Sequence, residues 1–174
     1  AGGERVDYEF GTELKLFKNS VNLDITYFNR VDKNLPSVVS LDGSTGFTQT
    51  FLNSGQQTSK GLEIGVNFSP IKNETFDWNV YANFSTLTRT VDAIADGVDV
   101  NVLSSSWRGI QLQERVGEEW GAIYGRAFRR DADGNILLSS TGAPRYDTNQ
   151  YLGNVLPDFT GGLSNNIRYK NFNL

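Results

Sequence analysis

The sequence predicts an all-β fold: an antiparallel meander of about six strands forming part of a large transmembrane β-barrel, with two long extracellular loops. Three observations predict it: a two-residue alternation of apolar and polar side chains, alternating segments of about ten residues, and a regular exchange of short and long connections. Successive side chains of a strand point to opposite faces, so each alternating run defines a strand with one apolar and one polar face.

In the first strand, roughly 8–17, Tyr8, Phe10, Thr12, Leu14 and Leu16 share one face, and Glu9, Gly11, Glu13 and Lys15 the other. A polar turn at Lys18-Asn19-Ser20 leads to the second, roughly 20–30, where Val21, Leu23, Ile25 and Tyr27 alternate with Asn22, Asp24 and Thr26. The third, roughly 57–69, sets Leu62, Ile64, Val66 and Phe68 against Gly61, Glu63, Gly65 and Asn67. After a turn at Pro70–Glu74 the fourth, roughly 75–89, sets Phe76, Trp78, Val80, Ala82 and Phe84 against Asp77, Asn79, Tyr81, Asn83 and Ser85. The fifth, roughly 158–169, gathers Phe159, Leu163, Ile167 and Tyr169 with Gly161 and Asn165, and Lys170-Asn171 turns the chain into a last stretch at 171–174. The long connections are roughly 31–56 and 90–157. Outer-membrane barrels sort their links in this way, with short periplasmic turns and long outer loops. Aromatic residues near strand ends suit an interfacial girdle.

Composition narrows the function. The 174 residues contain no Cys, His or Met, which removes disulfides, thiol nucleophiles and the commonest general base and metal ligand. Sixteen basic against twenty acidic residues, a net charge of −4, offer no basic stripe for nucleic acid. No stretch approaches the roughly 18 apolar residues of a membrane-spanning helix. A mean hydropathy of −0.39 is uninformative for a barrel, whose alternation averages away. With no Met, and with the alternation still running at Leu174, the chain is expected to be a piece of a longer one that would aggregate if isolated.

Several stretches, in this order and spacing, resemble the C-terminal barrel region of SusC/RagA-type TonB-dependent outer-membrane transporters of Bacteroidetes. They are 8–14 (YEFGTEL), 21–29 (VNLDITYFN), Asn53-Ser54-Gly55, 59–64 (SKGLEI), 76–80 (FDWNV), 116–125 (VGEEWGAIYG), 151–154 (YLGN) and 157–163 (PDFTGGL). Glu119-Trp120 stands where such sequences often carry Pro-Tyr. The resemblance implies a segment of a plugged barrel in the outer membrane of a Gram-negative bacterium, importing oligosaccharides (glycans) or peptides. It also implies a SusD-like surface lipoprotein as lid, outer-membrane lipid around the wall, and TonB acting through an N-terminal part and a plug that this sequence lacks.

The second long connection carries the candidate contact residues for cargo or partner: Trp107, Arg108, Trp120, Tyr124, Arg126 and Tyr146. Aromatic faces stack on sugar rings or peptide side chains, and Arg forks bind hydroxyls or carboxylates. The same residues could instead pack the loop against itself. Asp131-Ala132-Asp133-Gly134-Asn135 is read as a hairpin turn between 124–130 and 136–139, since Gly stands fourth and position twelve is Gly142, unlike a calcium loop. Glu9 and Glu13 are read as a solvated barrel face, and Glu118-Glu119 lies in a loop with no His or Lys constellation to tune a carboxylate, so neither an enzyme nor a cofactor is expected. A competing class is a soluble all-β carbohydrate-binding or adhesin-like module, which would bury Leu62, Ile64, Val66, Trp78 and Val80 in a core.

Overall fold

A computed structural model describes residues 2–40, 44, 46–106 and 109–174, with Ser40 described by its backbone only. Ten strands follow in order: β1 (Glu4–Leu16), β2 (Val21–Ser40), β3 (Gln49–Lys72), β4 (Phe76–Ala93), β5 (Val100–Ser105), β6 (Gln111–Arg115), β7 (Ala122–Phe128), β8 (Tyr146–Asn154), β9 (Thr160–Tyr169) and β10 (Phe172–Asn173). They form a six-stranded sheet, β1-β2-β3-β4-β9-β10, and a four-stranded sheet, β5-β6-β7-β8.

The short turns form where the local chemistry favours them. Between β1 and β2, Phe17, Lys18 and Asn19 take positive φ values of 51, 55 and 68°. Between β3 and β4, the Asn73 side-chain oxygen accepts hydrogen bonds from the backbone N–H groups of Thr75 (3.0 Å) and Phe76 (2.7 Å). Asn mimics a backbone turn in this way.

Residues 5–31, 58–88 and 157–174 form one compact unit, which holds the alternating strands. Its register is set where β4 meets β9. Phe76 pairs with Tyr169, Trp78 with Ile167 and Ala82 with Leu163, and in between Asp77 pairs with Arg168, Asn79 with Asn166 and Ser85 with Thr160. In these pairs apolar faces apolar and polar faces polar, whereas Asn165 stands opposite Val80 on the apolar face and accepts a hydrogen bond from Trp78 Nε1 (3.3 Å). None of the buried apolar side chains among the described residues (Val39, Val91, Ile94, Ala122 and Tyr124) belongs to this unit. Its apolar face is instead open, with Phe10 at 71%, Leu163 at 70% and Phe159 at 62% exposure. Leu62, Ile64, Val66, Trp78 and Val80 are half-buried by their sheet neighbours, without the core a soluble module would need.

The opposite face carries polar contacts, although the buried Asn22 Oδ1 on it has no hydrogen-bond partner. Arg30 donates to Asp7 through Nε (2.8 Å) and Nη2 (2.6 Å). Arg168 lies 3.7 Å from Asp77, and Asn79 donates to Asn67 (2.6 Å) and Ser69 (3.0 Å). A shallow depression on this face is lined by Asp24, Thr26, Glu63, Tyr81, Asn83 and Ser85. Gly61 is obligatory here: a Cβ would collide with the Phe28 ring and lie 2.5 Å from the Thr86 carbonyl oxygen.

Residues 1–4, 32–57 and 89–156 form the second unit. It corrects the reading of both long connections. Much of 31–56 is strand, since β2 runs to Ser40 and β3 begins at Gln49. Asn34, with φ of 54°, and Pro36 interrupt the alternation and read locally as turn residues, although the strand continues through them. The stretch 90–157 carries the end of β4 and the four strands β5–β8, more than the single hairpin read from the sequence. The turn at Asp131 forms as expected: Arg130 bridges Ile136, and the Asp131 carboxylate accepts from the N–H groups of Asp133 (3.0 Å) and Asn135 (2.8 Å).

The open apolar face generates a prediction. Leu163→Arg should destabilise the lipid-reconstituted protein by about 2–4 kcal/mol, the scale for a cation at the bilayer midplane. Asn166→Arg, on the polar face, should change stability by less than about 1 kcal/mol. Denaturant unfolding in liposomes measures both, and equal effects would contradict a lipid-facing assignment.

Candidate functional site

The second unit has a small core of Val39, Val91 and Ile94, against which Ala95, Val98 and Trp120 pack. Residues 117–120 run beside the end of β4: Val91 N–H donates to Glu118 O (2.9 Å), Gly117 N–H to Val91 O (2.8 Å) and Trp120 N–H to Arg89 O (2.7 Å). Gly117 and Gly121 bracket this stretch, both at φ 84°.

Beneath it lies a buried carboxylate. Glu114, 7% exposed, accepts hydrogen bonds at Oε1 from Trp120 Nε1 (2.8 Å) and Gln57 Nε2 (3.2 Å), and at Oε2 from Asn101 Nδ2 (3.2 Å). Asn101 also donates to Val38 O (3.1 Å), so one cluster ties β2, β3, β5 and β6 to residue 120. Neutral donors spread over several elements satisfy the carboxylate, as a buried charge requires.

A pocket of about 390 Å³ opens nearby, lined by Glu118, Glu119, Ala122, Tyr124 and Tyr151. The link between β6 and β7 supplies Glu118 and Glu119, and strands β7 and β8 supply the rest. Ile123 pairs with Gly153 but Tyr124 pairs with Tyr151, so a bulge at Leu152 sets the two tyrosines opposite each other. Bulges re-aim side chains in this way. The rings meet edge to face, 5.9 Å apart at 69°. The Tyr124 hydroxyl donates to Glu118 Oε2 at 2.5 Å. The Arg115 guanidinium lies 3.7 Å from the Tyr124 ring centroid, oriented by its bonds to Gln113 Oε1 (2.8 Å) and Asn149 Oδ1 (2.9 Å). Burial first, and then the bond to Glu118, push the Tyr124 hydroxyl above its ordinary value of 10.0.

The residues singled out from sequence fall in different places. Tyr124 lines the pocket. Trp120 packs on the core with its indole N–H on Glu114, and the Arg89 guanidinium lies 5.5 Å from its ring. Tyr146, 54% exposed, stacks on Phe128 at 5.1 Å, and Arg126 is exposed on β7. Trp107 and Arg108 lie outside the described residues. In the sequence, Glu118 and Glu119 lack a His or Lys partner for catalysis, and Tyr151 is one more aromatic of the second long connection. Only the β7–β8 pairing shows that the three share a pocket with Tyr124. Among the described residues, no group of three or more His, Cys, Asp or Glu comes together to hold a metal ion.

Two predictions follow from this geometry. Glu114→Ala strands the indole and amide donors it satisfied, and should cost about 1–3 kcal/mol for each donor left buried and unpaired; Glu114→Gln should cost less. Limited proteolysis of the 89–156 region reads this as faster cleavage in the Ala variant. For Tyr124, a raised value in the folded state means the hydroxyl's contribution is whole below pH 10.0 and is lost as pH climbs through the raised value. A phenolate absorbance titration of the wild type minus Tyr124→Phe should place this ionisation above that of exposed tyrosines. Coincidence with them would contradict the geometry.

No family model matches the chain. Individual relatives do. TonB-dependent receptor P3 of Formosa agariphila is 26% identical over 189 residues, covering 95% of this chain and 19% of that receptor. TonB-dependent receptor P39 of the same organism is 29% identical over 124 residues, covering 70% of this chain and 11% of the receptor. Among solved structures, the RagAB peptide transporter superposes with a TM-score of 0.77 at 17% identity, covering 98% of this chain and 20% of its counterpart. The RagAB peptide importer in its open-open state gives 0.73 at 16%, covering 97% and 19%. The chain thus spans about a fifth or less of the length of these relatives. Its two-faced antiparallel sheet, the order of its sequence motifs and these likenesses agree: the chain is similar in sequence to TonB-dependent receptors and shares the fold of the matching part of the RagAB transporter.

Proposed function

We propose that this chain is a stretch of barrel wall, with the β5–β8 sheet in its second long connection, in an outer-membrane importer of oligosaccharides or peptides energised through TonB. The observation that carries the reading is the six-stranded sheet with an apolar face that no protein core covers and a polar face that pairs its own charges. A bilayer covers the first face and a water-filled lumen suits the second. The plug and the TonB-contacting segment belong to the remainder of a receptor several times this length. The residues between β4 and β9 form the outer mouth, where a SusD-like lipoprotein closes over cargo. The likeness to TonB-dependent receptors supports the transport class, and the likeness to the RagAB peptide transporter supports a peptide as one form of cargo.

Uptake tests this directly. Cells carrying the full-length receptor should accumulate labelled oligosaccharide or peptide cargo only when TonB is present, and receptor affinity purification should recover the lid lipoprotein. Uptake that persists unchanged without TonB, or a receptor that partitions into the aqueous phase without detergent, would overturn the reading.

A further inference from the structure

The pocket lined by Glu118 and Glu119 together with side chains of β7 and β8 has a chemistry that selects among cargoes. We propose that Glu118, Glu119, Tyr124 and Tyr151 form a subsite for a cationic group of a peptide cargo, a guanidinium or an ammonium; this rests on the import reading above. Two carboxylates and two aromatic rings line a space of about 390 Å³, and no cation is among the lining side chains. Tyr124 occupies one oxygen of Glu118, leaving the other to accept. Glu119 is exposed. The Tyr151 ring is 56% exposed, so it offers a free π surface next to both acids.

Each wall favours positive charge. Carboxylates attract it directly, and aromatic faces attract it through the negative face of the ring quadrupole. The site already uses this preference once, since Arg115 stacks on Tyr124. That guanidinium hydrogen-bonds Gln113 and Asn149, whose oxygens are neutral, so it does not take up the carboxylates of Glu118 and Glu119. One Arg against two Glu leaves the pocket with a single net negative charge. A neutral sugar closing over it would desolvate a carboxylate without compensation, whereas a cation makes a charge-assisted bond.

The test uses the full-length receptor in detergent and a matched pair of pentapeptides, one with a central arginine and one with citrulline, which keeps the shape and loses the charge. Wild type should bind the arginine peptide about tenfold more tightly, and the ratio should fall toward unity in Glu119→Gln and in Glu118→Gln/Glu119→Gln. The single variant, at an exposed position, guards against misfolding of the double one. A wild-type ratio near unity, or a ratio unchanged in both variants, overturns the subsite and leaves import standing. Failure to bind either peptide also overturns it, and TonB-dependent uptake of a neutral oligosaccharide then decides whether the import reading survives.

Discussion

The pairing of β4 with β9, from Phe76 opposite Tyr169 to Ser85 opposite Thr160, is the constraint on which the rest of the sheet depends. The side-chain period of a strand is two, so a slip by one residue would turn every apolar side chain to the polar face. Here the slip would bring Asp77 and Arg168 to the side of Trp78 and Leu163. Charges on an apolar face are costly wherever that face is kept from water. The register also absorbs the excursion of the chain between β4 and β9. Loop-closure entropy grows only slowly with length, so a long insertion is compatible with a strictly paired sheet.

That excursion solves a different problem. In the unit that holds it the chain buries Val39, Val91 and Ile94, and the polar groups taken under with them must find partners. Glu114 collects the donors of Trp120, Gln57 and Asn101 and so links pieces of chain far apart in sequence. With Trp120 held there, the neighbouring Glu118 and Glu119 are placed beside Tyr124. The bulge at Leu152 brings in Tyr151. The pocket is thus a consequence of two separate devices, a buried carboxylate and an extra residue in β8.

Much of the wall was legible because one face of each strand meets an environment unlike the other, and that difference repeats every two residues. Tyr8 to Leu16, Val21 to Tyr27, Leu62 to Phe68, Phe76 to Phe84 and Phe159 to Tyr169 carry it plainly. The extension of β2 past Asn34 and Pro36 was not legible, since both residues signal a turn when read alone. Strands β5, β6 and β8 escaped for a related reason, and β7 was legible only as the 124–130 arm of a hairpin. They are short, and buried Gln113 and Glu114 stand side by side, so no alternation marks an inner face.

Residue type was a partial guide to the candidate site. Tyr124 and Trp120 carry the same signal, an aromatic residue in a long connection, yet one lines a pocket and the other seals a core. The distinction depends on who lies opposite: Glu118 and Tyr151 for the first, Glu114 and the Val91 cluster for the second. The sequence by itself determined the two faces of the wall, its short turns and its family motifs, because these follow from local periodicity and the residues at each turn. Only the tertiary structure decided the β5–β8 pairing, the buried Glu114 cluster and the pocket. Each depends on contacts between residues far apart in the chain, and no local pattern records which partners will meet.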